Sequence, residues 1–319
     1  QEKIQNAKVL VVGAGALGNE VLKNLALLGV GHIINIDYDD IEDSNLTRSV
    51  LYRARDNGRY KVEAAAEAVK DINPDVKFEP IVGNVLTDLG LGLFKEMDVV
   101  FGCLDNREAR LWVNRCCWKT NTPWVDGGIQ VISGVVSTFT PPDSACYECK
   151  MSEMDYKLIN LKYSCPLLKR EDLLQGKTPT APTVASIVGA LQVQEMLKII
   201  HGIDVNGGSA LMMSGQVNSF YTSRFQRRED CLSHETYPEP IVHELGHDVT
   251  LGEFFKAAKN GKEGPLSLHL ERDVLRELFC PQCDYHKEVY RPLTSVSLEE
   301  GKCPTCEEVC QTDIVHLVS

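Results

Sequence analysis

The sequence predicts an α/β protein in which a Rossmann-like, doubly wound domain is followed by a small α+β domain containing a zinc ribbon. First, a β-branched run at 8–12 leads into a glycine-rich turn at 13–18 and then into a helical pattern. That order is typical of nucleotide-binding βαβ units. Second, two C-x-x-C pairs lie close together near the C-terminus, as in zinc ribbons. Third, 319 residues suit two domains at about 150 residues each.

Strands and helices alternate along the first half of the chain. The second predicted strand ends at Asp37, the acidic position that binds a ribose in dinucleotide folds. The strand runs are almost continuously apolar because strands of a parallel sheet are buried on both faces. Apolar runs predict strands at 8–12, 32–36 and 98–103. Helical spacing predicts helices at 19–28 and 62–72.

The pattern changes after Cys149. Residues 150–182 are largely polar without a sustained period and predict an irregular crossover segment, which in a compact domain is usually functional. The apolar run at 183–201 predicts a buried helix with Thr183 as its N-cap and Gly202 just past its end.

The remaining sequence predicts further sheet and a second domain. Residues 205–227 continue the sheet, and a proline-containing linker then divides the chain into domains at 1–235 and 236–319. Within the second domain, we predict an amphipathic helix at 250–260 and an alternating strand at 266–270.

Composition narrows the function classes. Lysine and arginine number 33 against 45 acidic residues, a net charge of −12, so the basic face of a nucleic-acid-binding protein is not expected. No run approaches the roughly 18 apolar residues of a membrane span, and the N-terminus lacks a signal-peptide pattern. Twelve cysteines without such a signal predict a cytoplasmic protein with metal-binding or catalytic thiols.

The glycine loop alone does not identify which nucleotide is bound. Gly13 permits the turn, Gly15 lets the backbone approach a phosphate, and Gly18 packs the helix on the strand. The same loop is typical of nicotinamide- or flavin-binding oxidoreductases, and that class is one alternative. No set of residues suited to hydride transfer follows the loop, which weakens this alternative.

Three charged residues favour a triphosphate instead. Asp105 follows a predicted strand, Arg48 lies in the segment after the second strand, and Lys61 begins a predicted helix. We expect all three to lie at the carboxyl edge of the predicted sheet. A triphosphate that loses pyrophosphate needs cations for its phosphates and a carboxylate for Mg²⁺. The simpler alternative for each is a solvated surface cation, in the case of Arg48 and Lys61, or a helix N-cap, in the case of Asp105.

These residues belong to an ordered set of motifs: G-x-G-x-x-G, I-D-Y-D, N-L-T-R, K-V-E-A-A and C-L-D-N-R-E-A-R. With them the chain resembles the E1-like adenylating family, which contains ubiquitin-like activating enzymes and sulfur-carrier adenylyltransferases, over residues 6–234. The resemblance implies an adenylation domain that binds ATP and Mg²⁺. It implies that Asp37 holds the ribose, that Asn45, Arg48 and Lys61 contact phosphates, and that Asp105 serves the metal. The implied nucleotide site is completed by Gly13, Gly15, Gly18, Asp39 and Asn106 and, at the family's adenine-side position, by the pair Asn84 and Val85.

Two structural zinc sites are expected. Cys280, Cys283, Cys303 and Cys306 form C-x2-C-x19-C-x2-C, the spacing of a closed four-thiolate site. We expect Cys310 to lie outside it.

The other expected zinc site joins two distant parts of the chain. Cys146 and Cys149 need two more ligands, and the family supplies them from a second C-x-x-C after its last strand. Here that place holds Cys231 and His234, so we expect a Cys3His site. The alternative is that His234 is a surface histidine and the site is incomplete.

Cys165 is the candidate acyl acceptor. In ubiquitin-like activating enzymes, the acyl-accepting cysteine lies in such a crossover segment, and a thiolate can attack an acyl-adenylate to give a thioester. The leading hypothesis is therefore ATP-dependent adenylation of a ubiquitin-like protein, thioester formation on Cys165 and transfer to an E2-like carrier. The alternatives are a sulfur-carrier adenylyltransferase, in which Cys165 is incidental, and a catalytically inactive scaffold subunit.

The resemblance also implies partners. In the family, a segment upstream of this point usually supplies an arginine to the phosphates, often across a dimer interface, so we expect a homodimer or an E1 heterodimer. The acidic C-terminal domain would suit a basic E2 helix, with a stabilising or dimerising role as the alternative. A bacterial conjugation system is one setting that would fit this combination of features.

Overall fold

In a computed structural model of the protein, residues 1–164, 181–237, 245, 249–259 and 264–318 are described. The chain forms two compact units, Gln1–Pro238 and Glu239–Ser319. Cys165 and the rest of 165–180 lie outside the described residues.

The first unit is built on one eight-stranded sheet with the order β3-β2-β1-β4-β5-β6-β7-β8. The first five strands pair in parallel, and β5 to β8 pair as antiparallel neighbours. Order reverses at β1, so a crevice opens between β1 and β4 at the carboxyl ends of the strands. The strands are β1 Lys8–Val12, β2 His32–Asp37, β3 Lys77–Val82, β4 Val99–Gly102, β5 Trp124–Gln130, β6 Ser133–Phe139, β7 Ser209–Ser214 and β8 Ser219–Arg224.

Helices cover both faces of this sheet. Along β1, Val9 and Val11 belong to one apolar cluster and Leu10 and Val12 to another, as the alternation of a strand buried on both faces requires. The predicted Rossmann-like fold is confirmed. The helices are α1 Glu2–Asn6, α2 Ala16–Leu28, α3 Asp43–Leu46, α4 Lys61–Ile72, α5 Leu91–Lys95, α6 Arg107–Thr120, α7 Glu153–Ser164 and α8 Pro182–His201.

The structure corrects two predictions about the crossover region. The predicted irregular segment contains a helix, α7, because Glu153 and Asp155 in its first turn complement the helix dipole and because Tyr156 and Asp155 contact Glu148 and Arg107. The prediction of Thr183 as an N-cap is wrong. The helix α8 begins at Pro182 after Ala181, since proline suits the first helical position, where no amide donor is needed.

The helix α8 is long and apolar enough, by length and composition only, to cross a membrane. Its packing explains its composition. Gly189 lies against Glu20 of α2 so closely that a Cβ would be 2.8 Å from the Glu20 Cβ. The Ser186 hydroxyl donates to Glu20 Oε1 at 2.8 Å, and the Gln192 amide donates to one backbone carbonyl in β4 and one in β5. This helix therefore packs between α2 and the sheet.

The second unit is a small three-stranded antiparallel sheet with the order β10-β9-β11. Its strands are β9 Leu268–Cys280, β10 Tyr285–Pro292 and β11 Gln311–Val318, and the helix α9 spans Leu251–Lys259. The strand predicted at 266–270 is much longer than expected, because the alternation continues past the charged residues. The fully buried core consists of two leucines and three cysteines: Leu275, Leu278, Cys280, Cys303 and Cys310. So small a core needs a metal or another cross-link.

Candidate functional site

The glycine loop connects β1 to α2 at the crevice. Gly13 has a φ of +100°, and a Cβ there would lie well within 3.0 Å of the Cys103 carbonyl oxygen. A Cβ on Gly18 would lie equally close to the Gly13 carbonyl oxygen, whereas one on Gly15 would have nothing within 4 Å. Two glycines thus serve packing, and Gly15 leaves open space at the positive N-terminus of α2, where a phosphate is favoured.

Two buried side chains that sequence reasoning missed hold this loop. The Tyr52 hydroxyl donates to the Ala14 carbonyl at 2.6 Å. The Asn19 amide donates to the same oxygen at 2.8 Å, and its own oxygen accepts from Leu51 N–H at 2.9 Å. Asn19 is fully buried and a buried amide must find partners, but α2 also contains Glu20, Lys23 and Asn24, so the sequence carries no signal that singles out Asn19.

Asp37 lies at the end of β2 beside the loop. Its Oδ2 accepts from Ala14 N–H at 2.7 Å and its Oδ1 from Asp39 N–H at 2.9 Å. Burial raises the pKa of the Asp37 carboxyl, and the nearby Lys61 ammonium opposes that shift. The carboxylate keeps lone pairs for ribose hydroxyls, the role that the resemblance implies.

Lys61 and Asp39 form a close ion pair. Lys61 Nζ lies 2.6 Å from Asp39 Oδ2, and Lys61 N–H donates to the Asp39 carbonyl at the start of α4. Because the lysine side chain is only 10% exposed, it is not a solvated surface cation. Its charge lies near that of Asp37, and Asp39 fixes its orientation.

The loop after β2 carries Arg48 and Asn45. Arg48 Nη1 donates to the Ser44 carbonyl at 2.8 Å. Asn45 Oδ1 accepts from Glu42 N–H at 3.1 Å. Among the described residues, Arg48 has no carboxylate partner, so its charge is available to an anion. Their contacts with phosphates remain predictions.

Asp105 and Asn106 follow β4 at the same edge. Asn106, not Asp105, caps α6, since its Oδ1 accepts from Ala109 N–H at 2.8 Å. Its amide also donates to Asp105 Oδ1 at 3.2 Å. Asp105 is exposed and its other oxygen is unused in the described part of the chain. A lone carboxylate oxygen that acts together with nucleotide phosphates is the usual way in which proteins bind Mg²⁺, so these residues fit that ion.

The pair expected on the adenine side plays mixed roles. Asn84 Oδ1 accepts from Leu86 N–H at 3.0 Å, and Asn84 N–H donates to Asp88 at 2.7 Å. Val85 is buried in the apolar core. Its side chain therefore serves packing, and a nucleotide could contact only its backbone.

The first cysteine cluster brings together the four residues expected to bind zinc. The ligand atoms of Cys146, Cys149, Cys231 and His234 all lie within 4.8 Å of one another. Cys146 Sγ is 3.7 Å from Cys149 Sγ and 3.5 Å from Cys231 Sγ. These separations are far too long for a disulfide but match the edge of about 3.8 Å that Zn–S bonds of about 2.3 Å give in a tetrahedron.

His234 is suited to be the fourth ligand. Its Nε2 lies 3.3 Å from Cys149 Sγ, and its ring stacks on Trp118 at 5.6 Å between centroids. Burial, followed by the Arg227 charge, lowers the pKa of His234, which favours the neutral imidazole that a metal binds. The alternative of a free surface histidine does not fit this geometry.

The buried carboxylate of Glu148 connects the two halves of this cluster. Glu148, which is fully buried between the two cysteines, accepts from Arg115 at 2.8 Å and from the Tyr156 hydroxyl at 2.7 Å. It also accepts from the Ser233 hydroxyl in the other half of the cluster. One side chain therefore ties α6, α7 and both cysteine segments together.

The second cluster lies wholly in the C-terminal unit. The Sγ atoms of Cys280, Cys283, Cys303 and Cys306 lie within 4.8 Å of one another, and Cys280 Sγ is 3.7 Å from Cys306 Sγ. Cys310 is buried beside this cluster but is not one of its four members. The donor set and spacing again fit a structural zinc ion.

Comparison with known proteins agrees with this architecture. A family model described as the ThiF family matches residues 1–234. The chain belongs to the ThiF family. Its resemblance to E1-like adenylating enzymes, predicted from the motifs, is confirmed by relatives at the level of both sequence and structure.

Three ThiF-family relatives illustrate the range. Ubiquitin-like modifier-activating enzyme 5 of Dictyostelium discoideum is 32% identical over 213 residues, covering 62% of this chain and 54% of the relative. Adenylyltransferase and sulfurtransferase MOCS3 of Drosophila persimilis is 28% identical over 315 residues, covering 98% and 64%. A crystal structure of E. coli MccB with ATP has a TM-score of 0.61 at 26% identity, covering 73% of this chain and 68% of MccB. The matched region thus spans only 54% and 64% of the lengths of these two curated relatives.

Proposed function

We propose that this ThiF-family protein activates the C-terminal carboxylate of a ubiquitin-like protein. The carboxylate attacks the α-phosphorus of ATP, pyrophosphate leaves, and an acyl-adenylate forms. The Cys165 thiolate then attacks the acyl carbon, AMP leaves, and the resulting thioester is passed to the thiol of an E2-like carrier.

The observation that carries the adenylation step is the convergence of charges at one edge of the sheet. The open Gly15, the Asp37 carboxylate, the Lys61–Asp39 pair and the exposed Asp105 all lie at the carboxyl ends of β1, β2 and β4. Lysine and arginine cations stabilise the negative charge that develops as pyrophosphate leaves. Mg²⁺ bound at Asp105 would supply further neutralisation of the phosphates.

The thioester step rests on accounting for the other thiols. The chain has twelve cysteines, and the structure describes eleven. Seven of these belong to the two metal clusters, and Cys116, Cys117 and Cys310 are buried. Burial raises the pKa of Cys103, which makes it a poor nucleophile. Cys165 is the thiol left for acyl transfer.

A second function, a sulfur-carrier adenylyltransferase that stops at the adenylate, is favoured by a different observation. The alignment with MOCS3 covers 98% of this chain, whereas the alignment with the ubiquitin-like modifier-activating enzyme covers 62%. In this case Cys165 would be dispensable.

We assign the second unit to recruitment of the carrier protein. Its two zinc-binding hooks and three strands form a compact acidic module, and an acidic surface attracts a basic partner. A cytoplasmic location is part of the proposal, because free thiols and zinc thiolates persist in a reducing compartment. Dimer formation, which the family resemblance implies, completes it.

The experiment has two stages. Mg²⁺-dependent exchange of labelled pyrophosphate into ATP, stimulated by a candidate ubiquitin-like protein, tests adenylation, and its absence would eliminate activation and favour an inactive scaffold. Non-reducing gels then test for a thiol-sensitive adduct with the modifier.

Matched variants separate the two enzymatic functions. Cys165→Ala should abolish the adduct while leaving pyrophosphate exchange intact, with Cys116→Ala as a buried-thiol control that retains both. If overall turnover survives in Cys165→Ala, the sulfur-carrier function replaces the thioester mechanism.

A further inference from the structure

We propose that Arg110, anchored by Asp126, is a positioning residue that holds the Asp105 segment in place for Mg²⁺ and the nucleotide. This inference rests on the proposed function for its chemistry but on an independent set of contacts for its geometry. Arg110 is the last residue of the motif C-L-D-N-R-E-A-R, but the sequence analysis assigned no role to Arg110 or to Asp126.

Arg110 joins the segment after β4 to the middle of β5 through a single guanidinium group. Its Nη2 donates to the Leu104 carbonyl at 2.6 Å and to the Gly127 carbonyl at 3.0 Å. Its Nε donates to Asp126 Oδ1 at 3.0 Å. The segment after β4 is thereby tied to β5, its parallel neighbour.

The pair is buried. The side chains of Arg110 and Asp126 are 16% and 5% exposed. A buried ion pair is no more stabilising than well-packed apolar side chains of similar volume would be, so its presence calls for a reason other than stability. The planar guanidinium offers several donors in a fixed fork, which suits it to fixing carbonyl positions.

The Leu104 carbonyl, which accepts a hydrogen bond from Arg110, belongs to the residue before Asp105. The peptide bond links the Leu104 carbonyl carbon to the Asp105 nitrogen, so fixing one restricts the other. Asp105 itself is exposed, and in the described structure its side chain has only the Asn106 amide as a hydrogen-bond partner. The hydrogen bonds from Arg110 therefore fix the backbone that carries Asp105, whose side chain has few contacts of its own.

Packing at the end of β4 leaves little room for adjustment. A Cβ on Gly102 would lie 2.6 Å from Asp126 Oδ1, so the strand passes directly against the carboxylate. Asp105 also interacts electrostatically with Arg110. The Asp105 loop, the Arg110–Asp126 pair and the middle of β5 thus form one connected unit at the crevice.

The test compares metal dependence in Asp126→Asn and Arg110→Lys. The control is Arg115→Lys, which alters a second arginine–carboxylate pair on the same helix, with Glu148, away from the Asp105 loop. For each protein, the Mg²⁺ concentration that gives half-maximal ATP–pyrophosphate exchange is measured. Calorimetry with AMPCPP, with and without Mg²⁺, gives a readout independent of turnover.

We expect Asp126→Asn and Arg110→Lys to need about tenfold more Mg²⁺, because groups that orient a metal ligand typically contribute 10- to 100-fold to metal affinity. Their affinity for metal-free AMPCPP should change far less, and Arg115→Lys should keep the wild-type Mg²⁺ requirement. If Asp126→Asn fails to fold, the Mg²⁺ requirement of Arg110→Lys decides whether the inference holds.

An unchanged Mg²⁺ requirement in the folded variants of Arg110 and Asp126 would overturn the inference, even if their melting temperature fell. An equal loss of AMPCPP affinity with and without Mg²⁺ would also overturn it. Failure of the proposed function is distinguishable, because the wild-type protein would then show no exchange while calorimetry still reports Mg²⁺-dependent binding.

Discussion

Replacing Gly15 or Gly18 by alanine should separate nucleotide binding from folding. At Gly18, inside α2, the added Cβ meets the Gly13 backbone. Overpacking typically lowers the free energy of unfolding by 1–3 kcal/mol, and we expect the upper end of that range because the contact is with backbone atoms. The higher helix propensity of alanine raises the free energy of unfolding by about 1 kcal/mol. The net loss of about 2 kcal/mol corresponds to a melting temperature lower by about 4–8 °C for a unit of this size.

At Gly15 the same substitution meets open space, and its φ of −72° and ψ of −161° are accessible to alanine. The cost in stability is limited to a weaker helix cap, about 0.5 kcal/mol. A methyl group there would block the approach of a phosphate, so ATP affinity should fall at least about tenfold, or 1.4 kcal/mol.

Thermal denaturation followed by dye fluorescence gives the two melting temperatures, and a fluorescent ATP analogue gives the dissociation constants. The reasoning fails if Gly15→Ala binds ATP as the wild type does, or if it destabilises the protein as much as Gly18→Ala.

Three further predictions concern the charged and metal-binding groups. His234→Ala should lower the zinc content from two ions per chain to one by elemental analysis, and two remaining ions would contradict the first site. Lys61→Met, which removes the partner of Asp39, should slow ATP–pyrophosphate exchange by about 100-fold or more with a modest change in melting temperature; a near-normal rate would contradict its role. Because burial raises the pKa of Asp37 above 3.8, its folding contribution is full at low pH and lost as pH rises through that raised pKa. Ribose binding uses the ionised form, so ATP affinity should fall on acidification in the wild type but not in Asp37→Asn, and identical profiles would refute this.

The sequence predicted the parts of the fold that repeat simple patterns. The βαβ opening, α4 and the strands after α8 follow from apolar runs and helical spacing, and Gly202 ends α8 in the left-handed conformation as expected. Local chemistry that competes with such patterns was harder to predict. The helix α7 lies in a polar stretch with little periodicity, and it is stabilised by tertiary contacts of Tyr156 and Asp155 with Glu148 and Arg107.

The candidate site shows the same division. Motif spacing selected the residues at the crevice and both cysteine clusters. It included Arg110 in a motif but could not show the roles of Arg110, Tyr52 or Asn19, which arise from hydrogen bonds to backbone carbonyls that the fold brings within reach. Any residue type with a donor could serve such a carbonyl, so the side-chain pattern does not reveal this role.

The separation of the two halves of the first metal cluster has a consequence for proteolysis. Cys149 and Cys231 bracket α7, the crossover, α8 and the strands β7 and β8. With zinc bound, a protease cut anywhere between the two cysteines leaves fragments that are still coordinated to a common ion. Such a nicked molecule should migrate as one particle under native conditions and come apart when a chelator withdraws the metal.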